Sequence, residues 1–522
     1  MFVRAFLLSF IGRYGQFFLL SATSLLLLVG IFGLSHNASA AVVDATWNTD
    51  AVGDWSDTTN WDTDPVFPDN GVDTYNVFLY SGQTTLDGIF TIGDLTLDGG
   101  ELVGTGELNV DGTFYWIGGA LPENTSAIGS DGSISTININ GDAFLDGAFK
   151  QFAAATVNFA GNTTWVGGNI NAVDPPEGGV FNNSGTFDIQ GDVLWSWNVT
   201  GSPTFNNEAG GLIKRTVGTG FVEMWAAFNN DGDVEVETGT LQLANGGTSS
   251  GTFTVDSGAT LWFSDFSEGF SGAGAPITEL TVDSVMTSSG TVRFGNLFGN
   301  ATTNINGTID SDVVVSDPGE FGVVTFGADS FYGATTPGTF EAVSGTTNFE
   351  SPETHMSDLT VQDGATVNAT EDLDVSGDVS VFGSGAINLD GSEMNFSTTG
   401  TKVITGDGEV VLTSAASITT AGRVLIDTDV TIRGSGSIRG AAVSAVNGFN
   451  EGTIESDAGG TLFIDDLDNA GTISVSDGTT LDYEDQSNSF FTNLGTIEVS
   501  GGGQLVTRNL ANQNQVSIDG GT

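Results

Sequence analysis

Four short stretches of this chain repeat one pattern: alternating apolar residues, a glycine, then an aromatic residue or leucine in the next short run. They are Leu108-Asn109-Val110-Asp111-Gly112 before Trp116, Ile137-Asn138-Ile139-Asn140-Gly141 before Leu145, Val157-Asn158-Phe159-Ala160-Gly161 before Trp165, and Phe187-Asp188-Ile189-Gln190-Gly191 before Trp195. The glycines lie 29, 20 and 30 residues apart. Self-similarity at this period is the mark of stacked units, none of which can bury its apolar face alone.

A second signature overlaps the first. Phe181-Asn182-Asn183, Phe205-Asn206-Asn207 and Phe228-Asn229-Asn230 are 24 and 23 residues apart, and Asn450, Asn469 and Asn493, each followed two residues later by Gly-Thr-Ile, are 19 and 24 apart. These spacings predict coils of about 19–24 residues built from two or three short strands, with the 29–30 spacings as coils carrying an inserted loop. Asn and Gly suit the bends because both tolerate left-handed backbone, and asparagine amides in register can stack along a ladder. At ~4.8 Å per coil, on the order of 20 coils predict a rod on the order of 100 Å. From about Tyr75 onward no segment has helical periodicity; runs such as Gly239-Thr240-Leu241-Gln242-Leu243 read as strands bounded by turns.

The chain has no cysteine, which excludes disulfide staples and cysteine zinc sites. It carries 65 acidic residues against 11 Lys and Arg, a formal charge of −54. The acids alternate with apolar residues, as in Asp233-Val234-Glu235-Val236-Glu237, so they belong to one outward strand face. Nucleic acid and anionic polysaccharide are disfavoured as partners for want of a basic footprint.

At the N-terminus Arg4 and Arg13 precede an apolar run, Phe17 to Leu34, that ends at Ala38-Ser39-Ala40 before Ala41. These are the three parts of a cleaved export signal, with Ala40 and Ala41 flanking the cut. The mature chain is then expected to be secreted or at the cell surface, with no membrane span.

The next segment holds three of the nine tryptophans, Trp47, Trp55 and Trp61, with Pro65 and Pro68. It predicts an atypical terminal coil that plugs the open end of the stack. The alternative is a carbohydrate-binding module in which the same three indoles are exposed and stack on sugar rings.

Residues for catalysis are sparse. Beyond the presumed signal, His355 is the one histidine, and no Gly-x-Ser-x-Gly text accompanies it. A polysaccharide-degrading enzyme is the other alternative, since carboxylates abound. Yet Asn48-Thr49-Asp50 and Asp465-Asp466, which superficially resemble polygalacturonase fragments, are over 400 residues apart, and the Gly-His-Gly and Arg-x-Lys elements are missing. No catalysis is expected. Asp-Gly turns, among them Asp231-Gly232-Asp233, predict turns first and weak calcium binding by Asp231 and Asp233 second, with no other cofactor.

The Trp-rich start (Trp47, Asp54-Trp55, Asn60-Trp61, Pro68, Gly71) followed by Phe-Asn-Asn-x-Gly and Gly-Thr-Leu-x-Leu repeats resembles the passenger regions of bacterial autotransporters and the related PEP-CTERM-associated repeat proteins. The resemblance implies a right-handed parallel β-helix at the cell surface, with adhesive or matrix roles and a surface polysaccharide or a host or neighbouring cell surface as partner. The chain departs from it in having neither a C-terminal membrane barrel nor a sorting tail, which predicts truncation at the C-terminus. The expected organisation is a signal at 1–40, a Trp-rich cap at 41–90, and β-solenoid blocks at 91–265 and 357–522 flanking an irregular segment at 266–356. Loops near residues 120–135, 171–180 and 265–278 are the expected recognition sites.

Overall fold

A computed structural model describes residues 40–522 apart from 49–51, 119–125, 131, 173–177, 198–202, 265–276, 282, 296–301, 334–336, 440–447, 458, 477 and 484–490. The export signal therefore lies outside the described residues, save Ala40 and the neighbouring Ala41, and so does most of the three expected recognition loops.

Alternating four-residue runs with a turn after each leave the backbone only one way to satisfy its polar groups: pairing with the next coil. The structure does this throughout. It is all-β, 61% strand, a parallel β-solenoid of about 17 turns, or a rod of roughly 80 Å at ~4.8 Å per turn. Each turn contributes one strand to each of three parallel sheets, here called A, B and C. Thr136–Ile139, Thr156–Phe159 and Val180–Asn183 are successive strands of sheet A. Ala143–Gly147 and Asn162–Trp165 belong to sheet B, and Lys150–Phe152 and Ile170–Ala172 to sheet C. Four long strands, including Val285–Gly295 and Glu409–Thr420, turn a corner and serve two sheets each. Among the described residues of 266–356, Thr302–Ile305, Val323–Phe326 and Thr346–Phe349 continue sheet A.

The period-two pattern sends one residue set inward and the other outward. Leu108, Ile137, Val157, Phe181 and Phe205 form one inward column, each fully buried. In the first half the interior is aromatic: Phe181 touches Phe152, Phe159 and Trp195 at centroid separations of 4.4, 5.2 and 4.5 Å. Aromatic contacts recur from Phe294 to Phe349, and beyond them Ile, Leu and Val fill most of the same space.

Register corrects two expectations. The fourth copy of the first signature is out of phase: Thr186–Ile189 pairs with Asn162–Trp165 on sheet B, while the true partner of Val157-Asn158-Phe159 is Phe181-Asn182-Asn183. The 30-residue spacing is thus a slip of one strand and not a coil with an insertion. The 29-residue step from Leu108 to Ile137 is a genuine long coil. Second, the repeat glycines are not there for left-handed backbone. Gly112, Gly141 and Gly161 have no positive φ. They are required because successive coils touch at that corner, where a Cβ on Gly141 would lie 2.0 Å from the carbonyl oxygen of Gly112.

The asparagine ladder is present, and it is buried. Asn183 Nδ2 donates to Asn207 Oδ1 at 2.8 Å, and Asn207 Nδ2 to Asn230 Oδ1 at 2.7 Å. Near the C-terminus Asn450, Asn469, Asn493 and Asn512 repeat this on sheet C, each step 2.7 Å. The middle amides also hold the turns, as when Asn207 donates to the carbonyl of Asp233 at 3.0 Å. Replacing Asn207 with leucine strands the amides above and below it, a cost of about 1–3 kcal/mol for each buried group left unpaired. The expected result is a clear fall in urea midpoint, against little change for an outward residue such as Thr254→Ala.

Candidate functional site

The three tryptophans form the cap and no more. Trp47, Trp55 and Trp61 are 5%, 0% and 1% exposed. Trp61 packs edge-on against Trp47 and Trp55 at 5.0 and 4.9 Å, and Trp55 stacks on Phe90 at 5.5 Å. Two indole N–H groups donate inward, Trp55 to the carbonyl of Pro68 and Trp61 to that of Trp55, both at 2.8 Å. A sugar platform needs an open ring face, and these rings have none; the expectation of exposed indoles is corrected.

Asp231 and Asp233 are exposed and satisfied by the next coil, accepting from Ser250 Oγ (2.6 Å) and Thr252 Oγ1 (2.5 Å). Among the described residues no three His, Asp or Glu side chains converge as a metal site would require. His355 lies on the outside of sheet B between two carboxylates, Nδ1 3.0 Å from Asp374 and Nε2 3.7 Å from Glu353. Asn48 lies in the first coil and Asp465 near the far end of the stack, so they share no site.

Of the scarce basic residues, Arg215 and Lys150 face inward and Arg293 and Arg433 lie in ion pairs, while Lys214 points outward. Arg215 is fully buried and clamps a corner, donating to the carbonyls of Gly191 (2.7 Å) and Gly220 (3.2 Å) and to Asp192 (2.5 Å). Lys150 is also buried, with Nζ donating to the carbonyl of Gly167 at 3.0 Å. Burial, opposed by the charge of Asp146, pushes the Lys150 ammonium down to about 8. A sealed amine cannot meet a substrate, but it does set a pH dependence. The unfolded chain keeps this proton up to the ordinary 10.5 while the folded chain releases it near 8, so stability rises with pH between those values. At about 1.4 kcal/mol per unit the full rise is about 3 kcal/mol. Urea midpoints at pH 7.5 and 9.5 should therefore differ in the wild type and converge in Lys150→Met. Both residues occupy inward strand positions, so the alternation itself carries the signal that finds them.

Over part of the rod, charge and neutrality separate by face. Along sheet A the outward residues of five consecutive coils are Thr136/Asn138, Thr156/Asn158, Val180/Asn182, Thr204/Asn206 and Ala227/Asn229. A second set of five runs Thr302/Asn304, Val323/Thr325, Thr346/Asn348, Thr366/Asn368 and Ala386/Asn388. None of these ten coils presents a charge there, but Glu279 lies between the two sets, Glu107 precedes the first, and Glu409, Arg433 and Glu455 follow the second. Sheet B, in contrast, presents Asp188, Lys214, Asp233, Glu235 and Asp310 outward. The sequence leads one to expect a mixed acidic, Thr- and Asn-rich surface; the structure sorts the two.

The outward asparagines are half-buried and bonded along the axis. From Asn138 through Asn229 each Nδ2 donates to the Oδ1 of the preceding coil, at 2.7–2.9 Å. Asn368 donates likewise to Asn348 (3.0 Å) and Asn388 to Asn368 (2.8 Å). Asn138 also donates to Glu107 Oε1 at 2.9 Å, whereas an amide with one such bond has a second N–H left. Beside these last three asparagines runs an open trough of about 420 Å³, edged by Glu350, Thr370, Asp390 and Thr413. No motif in the sequence singles out Asn348, Asn368 and Asn388; the 20-residue recurrence of a small residue or Thr two places before Asn is the signal that finds them. No protein-family model matches the chain, and no curated protein is significantly similar to it.

Proposed function

We propose that this protein is an exported, non-catalytic surface or matrix rod that adheres through many weak contacts along its neutral face. The observation that carries this is the pair of uncharged Thr/Asn stretches on sheet A, five coils each and separated at Glu279, on a chain of formal charge −54. A uniformly acidic rod repels the acidic surfaces of cells; neutral, hydrogen-bonding stretches give it places where contact carries less electrostatic cost. The autotransporter and PEP-CTERM resemblance agrees with this reading, which needs no metal. Chelation with EDTA is expected to leave the melting temperature unchanged, and a drop of several degrees would reinstate calcium at the acidic turns.

Export enters the same proposal. Ala41 is exposed, its N–H donates to Asp73 Oδ1 at 2.9 Å, and the first strand starts one residue later. A cut between Ala40 and Ala41 places the new ammonium on that carboxylate without disturbing a ladder bond. Mass spectrometry of protein recovered from the medium or cell surface should find Ala41 first; an intact Met1 on cell-retained protein would contradict export. Adhesion is tested by coating beads with the full chain and counting those held by cells or extracted cell-wall material, with bare beads as reference. Equal retention of coated and bare beads would remove the adhesive reading.

A further inference from the structure

The trough beside Asn348, Asn368 and Asn388 is more specific than the stripe it belongs to. We propose that it seats one extended chain of a neutral polysaccharide, lying parallel to the axis of the rod. This deepens the adhesive reading and rests on it.

Its floor is a repeating amide. Asn368 and Asn388, both lining the trough, each donate one N–H to the coil before, and an amide has a second N–H to offer. Asn388 is followed in register by Val411, which has no side-chain donor, so no amide continues the ladder past Asn388. The rim adds the carboxylates of Glu350 and Asp390 and the hydroxyls of Thr370 and Thr413, with Thr413 donating to Asp390 Oδ1 at 2.9 Å. Donors and acceptors thus alternate over three consecutive coils at ~4.8 Å spacing. A polymer that fills such a site must offer both hydrogen-bonding roles on every unit, at a repeat close to one coil. Linked pyranose rings with vicinal hydroxyls do so.

Other polymers fit less well. The trough contains no basic side chain, and the chain carries −54, so a polyuronate or nucleic acid is repelled. An extended peptide rises about 3.3 Å per residue and falls out of step with the coils within two or three units. Nor can it join the sheet, because the backbone groups of Thr366–Ala369 are paired on both sides. The volume, about 420 Å³, is of the size that clefts for small ligands occupy, about 300–1,000 Å³. It is open at the surface, as a site on a long chain needs to be.

The test uses the full chain and three probes: insoluble neutral β-glucan, polygalacturonate and chitosan. Wild type is expected to co-sediment with the neutral glucan and, in competition with soluble gluco-oligosaccharides, to be released. Retention should hold at ionic strengths that shorten the Debye length from about 10 to about 3 Å. Asn368→Leu removes one outward amide and should weaken binding about tenfold, the equivalent of one good hydrogen bond. Because that variant also interrupts a ladder, Asp390→Ala, at an exposed rim position, is measured beside it and should also weaken binding several-fold; Thr254→Ala on sheet B should not. Equal binding by wild type and both trough variants would overturn the trough while leaving adhesion standing. Preference for chitosan or polygalacturonate, or binding lost at high salt, would overturn the neutral ligand. Binding to no glycan by a protein whose coated beads still adhere would do the same; loss of bead adhesion as well would remove the parent reading.

Discussion

Gly161→Ala should produce one of the largest losses of stability available from a single methyl group in this chain. The added Cβ would lie 2.1 Å from the carbonyl oxygen of Gly141 and 2.6 Å from its carbonyl carbon. Both are backbone atoms, so no side chain can swing aside. The coils cannot separate either, because Thr156–Phe159 and Asn162–Trp165, on the two sides of the corner, are locked into parallel ladders with the coil below. The same approach recurs above, where a Cβ on Gly185 would lie 2.1 Å from the oxygen of Gly161. Overpacking a core costs about 1–3 kcal/mol when neighbours can shift; here the ladder resists the shift, and the cost should reach or pass the top of that range. Solenoid coils couple mainly to their nearest neighbours, so the damage should divide one melting transition into two. Gly71→Ala is the matched control, with nothing within 4 Å of its Cβ. Calorimetry showing equal melting for Gly161→Ala and Gly71→Ala would mean that the coils do not approach as described.

Trp61→Ala is expected to open the solenoid from its N-terminal end. The indole is 1% exposed, holds Trp47 and Trp55 through ring contacts at 5.0 and 4.9 Å, and donates to the carbonyl of Trp55 at 2.8 Å. Truncating a buried large aromatic to alanine typically costs about 3–5 kcal/mol. The loss is sharper here because the cap covers a terminal coil whose strand, Val42–Thr46, pairs among the described residues with Thr74–Leu79 on one side. Unplugged, that edge is a template for a second chain. The variant should show fast amide exchange in residues 42–79 and concentration-dependent association, with the far end of the rod unaffected. Trp61→Phe should recover part of the loss. A Trp61→Ala protein with wild-type exchange in that segment would remove the tryptophans from the cap.

The architecture was legible because its causes are local and repeated. Period-two alternation fixes the strands, and the spacing of Phe181, Phe205 and Phe228 fixes the coil, as their shared inward column bears out. What misled was phase: Phe187-Asp188-Ile189-Gln190-Gly191 has the text of the sheet A strands and sits in sheet B, since both sheets ask for the same alternation. Glycine was read as a bend former when its main task at Gly141 and Gly161 is to have no side chain where coils touch.

The candidate site was less visible. A composition of 65 acids suggests an acidic surface everywhere, and only register shows that Asn138 to Asn229 and Asn304 to Asn388 line one face while Asp188, Glu235 and Asp310 line another. Tryptophans attract attention as sugar platforms, yet their exposure depends on which way a terminal coil folds. Trp47, Trp55 and Trp61 turn inward because the open end of a stack offers more apolar surface to cover than any ligand could.

The most direct test of the neutral face is hydrogen–deuterium exchange of the full chain with and without a soluble neutral β-glucan. Added protection is predicted in the sheet A strands Thr346–Phe349, Thr366–Ala369 and Ala386–Asp390, with sheet B unchanged. Protection on sheet B, or at the Trp-rich cap, would place the ligand elsewhere and contradict the account.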